Sequence, residues 1–294
     1  AMVRLSMKDK KKQSDYESFW DIFMRRFKKN TMGRISFYSI LALIVIGILA
    51  PVIANDAPLL MIRDGEWSMP GIFNPVEYRG TDWEDPDFEW DFAIFPLIRQ
   101  SPVKTDLQSR LQAPSLEHLS GTDDMGMDVF ARVIWGTRIS ISIGLISAVI
   151  TLVIGTLIGA IAGYFGGWID AVLSRFIEIM MCFPTFFLIL AVLAFLPPSI
   201  YNIMIVIGLT RWTGIARLVR GEVLKVKSLD YVSAAKINGL KSGQIIRKHI
   251  IPNSIMPALI SATFSVAGAI LVESSLSFLG FGVQPPTPSW GAII

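Results

Sequence analysis

The chain has 294 residues, 52% of them hydrophobic and 17% charged, and a mean hydropathy of +0.52. That balance belongs to a membrane protein rather than a soluble globule. One cysteine, Cys182, excludes a disulfide framework, and two distant histidines, His118 and His249, offer no metal-ligand spacing. No nucleophile motif, phosphate loop or dinucleotide fingerprint occurs, so no catalytic, metal or cofactor site is expected in this chain.

The net charge of +3 hides an asymmetry that is more telling than the sum. Residues 1–34 carry ten Lys/Arg and four acids. Tyr16, Phe19, Trp20, Phe23 and Phe27 fall at helical spacing within them, which predicts a cytoplasmic amphipathic segment lying on an anionic leaflet. Residues 35–54 are uncharged and long enough for a first transmembrane helix. Residues 55–138 hold fifteen acids against seven Lys/Arg and half of the eight tryptophans, and read as a large extracytoplasmic loop region. Arg63-Asp-Gly-Glu66 and Met69-Pro-Gly71 are turn signals that predict short strands there. The acidic run from Asp82 to Asp91 lacks the ligand spacing of a calcium loop and reads as solvated.

Residues 139–294 form the membrane core. Residues 139–163 are uncharged, and Gly155, Gly159 and Gly163 recur every four positions, a pattern that lets helices approach closely in lipid. Gly166-Gly167 reads as a tight turn, with Arg175 and Glu178 spaced to pair beyond it. Residues 179–196 form a third span with a kink at Pro184, and Cys182 reads as a small core residue. Met180 and Phe183 in this span are candidates for the substrate pathway or a subunit contact, with lipid-facing packing as the plainer reading. Residues 199–216 form a fourth span, in which Arg211 is expected to snorkel to the interface. Residues 254–272 form a fifth, followed by Glu273, which faces the pathway or a partner or hydrogen-bonds within the bundle.

Between the last two spans, residues 217–253 hold eight Lys/Arg against two acids. Around Ser233 the run reads as a short helix with Ala234 and Ala235, ended by Gly239, and a second helical run leads to His249 and Pro252. A small-residue helix suits a partner's groove; an ordinary basic loop that fixes orientation fits the pattern as well.

The run from Ser233 to Gly239, with His249 to Asn253 downstream, resembles the signature loop of ABC importer permeases. Ala234, Ala235, Gly239 and Pro252 match, Ile251 stands for Leu, Ser233 stands where that family has Glu, and His249 is usual in its peptide-importing branch. Gly121-Thr-Asp123, Gly126, Asp128 and Arg138 resemble the stretch before the core in dipeptide and oligopeptide (peptide/nickel) permeases, with Met127 at a usual Arg. The run from Glu273 through Leu276-Ser-Phe-Leu-Gly280 to Ser289-Trp-Gly291 is similar to the same branch, and Ile53 to Leu60 looks like its microcin C-type sub-branch.

The resemblance implies an all-α, polytopic ABC importer transmembrane domain with five visible spans and a sixth expected. It implies a bacterial inner-membrane location, with the N-terminus cytoplasmic. Function would be ATP-driven peptide import, this chain forming half of the pathway and coupling to an ATPase through residues 231–249. Tyr231, Ser233, Ala234, Ala235, Gly239, His249 and Pro252 would carry that coupling. Implied partners are a second homologous permease, two ATPases that hold ATP and Mg²⁺, an extracytoplasmic binding protein, a peptide and the lipid bilayer, with no nucleic acid. A membrane-anchored receptor or assembly protein is the competing reading. Ion-coupled transport fits poorly, because Arg211 and Glu273 read as lying near span ends.

Overall fold

The computed structural model describes residues 24–293 apart from 26, 74, 76, 77, 79, 80, 84, 86 and 87. The expected N-terminal helix at Tyr16, Phe19, Trp20 and Phe23 lies outside the described residues. The chain divides into two compact units, 1–45 and 46–294. The first helix, α1 (Thr31–Ile53), starts at Asn30, whose side chain accepts the Gly33 N–H at 3.0 Å.

After α1 the chain makes a three-stranded antiparallel sheet of β1 (Leu60–Arg63), β2 (Glu66–Ser68) and β3 (Phe92–Ile94), in the order β2-β1-β3. The hairpin between β1 and β2 turns on Asp64 and Gly65, both at positive φ, which suits a two-residue turn matched to strand twist. Tyr78, Trp83, Phe88, Trp90 and Phe95 follow one another in ring contact beside this sheet, and Arg63 lies 4.5 Å above the Phe88 ring.

The long helix α2 spans Val129–Phe165. Its 37 residues rise about 55 Å, well beyond the ~30 Å bilayer core. The boundary expected at 138/139 therefore cuts a helix: charges at Arg132 and Arg138 end the apolar stretch but not the backbone ladder. Gly166 closes α2, and α3 (Gly167–Cys182) begins at once, so the expected turn is a single joint and Asp170 and Arg175 are helical. The kink expected at Pro184 is a full break, and the helix before it starts at Gly167 rather than at 179. α3 and α4 (Thr185–Leu193) meet at 81°. Phe183 is extended because it precedes Pro184, and Pro184 offers no N–H to carry the ladder across. At that break Cys182 is exposed, not a core residue.

Next comes α5 (Ile200–Val226), capped by Ser199, whose hydroxyl accepts the Tyr201 N–H at 3.3 Å. It continues well past the expected end at 216, because Arg217, Arg220 and Lys225 are good helix formers once outside hydrocarbon. The polar segment then holds α6 (Asp230–Ile237), α7 (Ser242–Ile245), a π-turn at Ile246–Ile250 and one more turn at Ile251–Ser254. α8 (Met256–Phe278) and the short α9 (Trp290–Ile293) complete the described chain. Among the described residues four helices are long and apolar enough to span a membrane. The bent α3–α4 pair, which passes the same test only when taken together, brings the number to five if it is one broken span rather than a re-entrant loop.

The bundle is organised by a seam between α2 and α5. A Cβ on Gly155 would meet Ile215 Cβ at 2.7 Å, one on Gly159 the Ala216 carbonyl at 2.3 Å, and one on Gly163 Val223 Cβ at 2.8 Å. Only glycine permits this approach, which supplies the van der Waals contact that drives association in lipid. Ser147 and Thr151 lie on the same seam and donate to the carbonyls of Met204 (3.0 Å) and Gly208 (3.3 Å).

Candidate functional site

The two ends of the bundle are built differently. At one end lies an elbow formed by α6 and the helical run after it. α6 carries buried Val232 and Ala235 on one side, packed with Val226, Ile245, Ile250 and Ala258. Tyr231, Ser233, Ala234 and Ile237 are exposed on the other. Gly239 at φ +78 ends α6: its N–H donates to Lys236 (3.0 Å), and the Leu240 N–H reaches Ala235 (3.2 Å). That reversal satisfies the last carbonyls and turns the chain back toward α7. The Tyr231 and His249 rings lie 6.3 Å apart, which brings the two halves of the motif together across the elbow. Pro252 is exposed near the start of the last helical turn. The elbow is tied to the bundle by Lys227, which donates to Gly163 O at 2.8 Å, and by Lys236 above the Tyr164 ring.

Two of the motif's small residues thus separate. Ala235 faces its own core, whereas Ala234 and Ser233 face outward. No side-chain bond occupies Ser233 among the described residues. Nearby, Asp170 of α3 and Arg220 of α5 form a two-point pair with one contact at 2.7 Å, joining the joint at Gly166 to the base of α5.

At the sheet end, residues 106–132 form a brace. Asp128 caps α2 by accepting the Ala131 N–H at 2.7 Å, and its other oxygen lies 2.9 Å from His118 Nδ1. Asp123 accepts the N–H groups of Met125 and Met127, each at 2.9 Å, and its second oxygen pairs with buried Arg132. Thr122 donates to Ser109 O and accepts from Gln112 N at 2.9 Å. The Ser109 hydroxyl and the Gln108 N–H hold the Asp106 carboxyl below its ordinary range. The His118–Asp128 pair escaped sequence reasoning, which saw His118 as isolated; the legible signal was Asp128 as an N-cap before an apolar run. The same end contains a cavity of about 1040 Å³, lined among others by Tyr78, Trp83, Trp135, Arg138 and Tyr201.

Glu273 is fully buried in the chain's own bundle, where it accepts from the Ser277 and Ser289 hydroxyls, each at 2.7 Å. The tie holds the 280–290 segment against α8. Met180 packs against Ile177, Trp212 and Ala216, while Phe183 is exposed at the α3–α4 break. Arg211 does not snorkel. α5 runs on for about 22 Å beyond it, and its guanidinium turns to α8 and donates to Gly268 O at 2.9 Å.

Residues 155–294 match the family of binding-protein-dependent transport system inner membrane components. Residues 18–66 match the N-terminal transmembrane domain of oligopeptide transport permease C. The chain is 43% identical to a dipeptide transport system permease protein of Alkalihalophilus pseudofirmus over 69% of its own length and 67% of that protein. It is 32% identical to an oligopeptide transport system permease protein of Bacillus subtilis, over 94% of this chain and 76% of the relative. It is also 32% identical to a peptidoglycan transport system permease protein of Agrobacterium fabrum, over 92% and 81%. The chain belongs to this permease family.

As a permease subunit it is a multi-pass membrane protein, and the N-terminal family match covers α1 and the start of the sheet region. The core match begins at Gly155, within the glycine seam, and includes α5, the elbow and Glu273. The brace at 106–132 lies between the two matched segments.

Proposed function

We propose that this permease imports peptides as one half of the membrane pathway of an ATP-driven complex, and that residues 231–249 dock a partner ATPase. The observation that supports this most directly is the division of α6. Val232 at 0% exposure and Ala235 at 7% anchor it, while Tyr231, Ser233, Ala234 and Ile237, the last 87% exposed, present a free face. A short helix fixed on one side and bare on the other can transmit a push without rearranging its own core. Gly239, His249 and Pro252 hold the elbow's shape rather than its contact surface.

The charge distribution supports a cytoplasmic elbow. Residues 1–34 and 217–253 hold ten and eight Lys/Arg, against seven in the longer 55–138 region, so the sheet and brace lie outside. The reading includes a bacterial inner membrane and a cytoplasmic N-terminus. The complex includes a second homologous permease, two ATPases that bind ATP and Mg²⁺, and an extracytoplasmic binding protein delivering peptide to the sheet end. Peptide is the proposed substrate because relatives are described as dipeptide and oligopeptide permeases. ATPase closure moves α6, and the bundle, stiffened by the α2–α5 seam, rocks as a body between inward- and outward-open states.

The test is Ala234→Arg in the complete complex. Ala234 is exposed, so the chain is expected to insert and fold normally, lose its ATPase on purification and stop peptide uptake. Retained ATPase and normal uptake would overturn the docking assignment.

A further inference from the structure

Most charges on the spanning helices have an evident partner. Asp170 pairs with Arg220, Arg175 with Glu178, Lys225 with Glu222 and Arg132 with Asp123, and Glu273 accepts two hydroxyls. Arg211 differs. It stands near the middle of α5, about 16 Å of helix rise from Ile200 and about 13 Å from the Asp170–Arg220 pair. The next charge on α5, exposed Arg217, is about 9 Å further along, so Arg211 lies inside the apolar part of the span, nearer its charged end. Gly268, to which it donates, is near the middle of α8.

The guanidinium lies flat on the α8 backbone. A Cβ at Gly268 would stand 2.7 Å from Nη2 and 3.1 Å from Nη1, so the glycine makes the groove that holds it. The bond to Gly268 O is its one hydrogen bond among the described residues, and no carboxylate there pairs with it. Guanidinium carries five N–H donors. A charge within a span is costly against lipid and is tolerated where it faces the bundle interior or water and pairs with an anion or a backbone carbonyl; the Gly268 carbonyl uses one of the five donors of Arg211. Arg211 is partly exposed, and its other donors have no hydrogen-bond partner among the described residues.

We propose that Arg211 is the carboxylate-recognition point of the translocation pathway, engaging a carboxylate of the passing peptide within the membrane. This rests on the peptide-import reading above. Guanidinium matches carboxylate by a forked, charge-assisted pair, and an arginine keeps its charge in such a site. The α8 carbonyl orients the group from behind and leaves its other donors for substrate. A terminal carboxylate and an acidic side chain share this chemistry.

The experiment uses the complete importer in proteoliposomes and three mixtures of tri- to hexapeptides. One has free C-termini and no acidic residues, one has amidated C-termini, and one is amidated with a single internal Glu. Wild type is expected to favour the carboxylate-bearing peptides. Arg211→Gln is expected to lower their uptake about 10- to 100-fold. Uptake of the amidated neutral mixture and basal ATP hydrolysis should stay near wild type, and Arg211→Lys should restore part of the preference. Loss confined to the free C-termini assigns the terminal carboxylate, and loss confined to the Glu peptides the side chain. Equal loss for all three mixtures, with the complex dissociating, means that a partner subunit's acid is the counter-ion and overturns the proposal. So does no change, or no wild-type preference among the mixtures. A wild type that imports none of them removes the peptide reading itself.

Discussion

The brace at the sheet end and the elbow at the other are both compact, yet different forces hold them. The brace is closed by charged and polar bonds, Asp123 with Arg132 and Asp128 with His118 within one stretch of chain, and Arg132 Nη2 with the distant Ala292 O at 3.4 Å. The carboxylates of Asp106, Asp123 and Asp128 are spent within the chain. The elbow is held by apolar packing of Val232, Ala235, Ile245 and Ile250, and it leaves a row of exposed residues with no internal task. The contrast separates two duties. The brace fixes where α2 begins, and the elbow leaves one face of α6 uncovered, the face proposed above for docking.

Breaking the brace should have the largest effect. Asp123→Ala leaves buried Arg132 without its counter-charge and frees two N–H groups, and should destabilise the purified chain by about 3–5 kcal/mol. A thermal midpoint in detergent measures it, and a change below ~1 kcal/mol would mean that the brace does not depend on this pair. The elbow should respond less. Val232→Ala removes two buried carbons, for about 2 kcal/mol, and should speed hydrogen exchange in 230–237 more than in the seam. Uniform acceleration along the chain would show that α6 is not an independently anchored piece. Smallest of all, Ile237→Ser at the exposed face should alter stability by no more than ~0.5 kcal/mol while weakening ATPase retention. If it destabilised as much as Val232→Ala, that face would be packed rather than free.

Local chemistry was legible where one residue type has one dominant use. Pro184 broke its span, Gly239 ended α6, Asp64-Gly65 turned the hairpin, and the four-residue glycine repeat became the α2–α5 seam. Helix ends near the membrane surface were not legible. Hydropathy marks where apolar residues stop, and α2 and α5 continue past that point because backbone bonding needs no hydrocarbon. Within the site, the run from Ser233 to Gly239 was located correctly as a short helix with its terminating glycine. Its two alanines looked equivalent, and only packing assigned Ala235 to the core and Ala234 to the surface.

By itself the sequence determined that this is a membrane chain, where its apolar segments and breaks lie, and which polar segment carries the permease motif. Those depend on composition and on residues whose backbone preferences act locally. Tertiary structure decided the roles of the charges. Arg211 sits mid-bundle against Gly268, Glu273 is enclosed by Ser277 and Ser289, and His118 meets Asp128. Depth and partner are properties of several elements packed together. A charge's position along one helix does not state which neighbouring backbone will meet it.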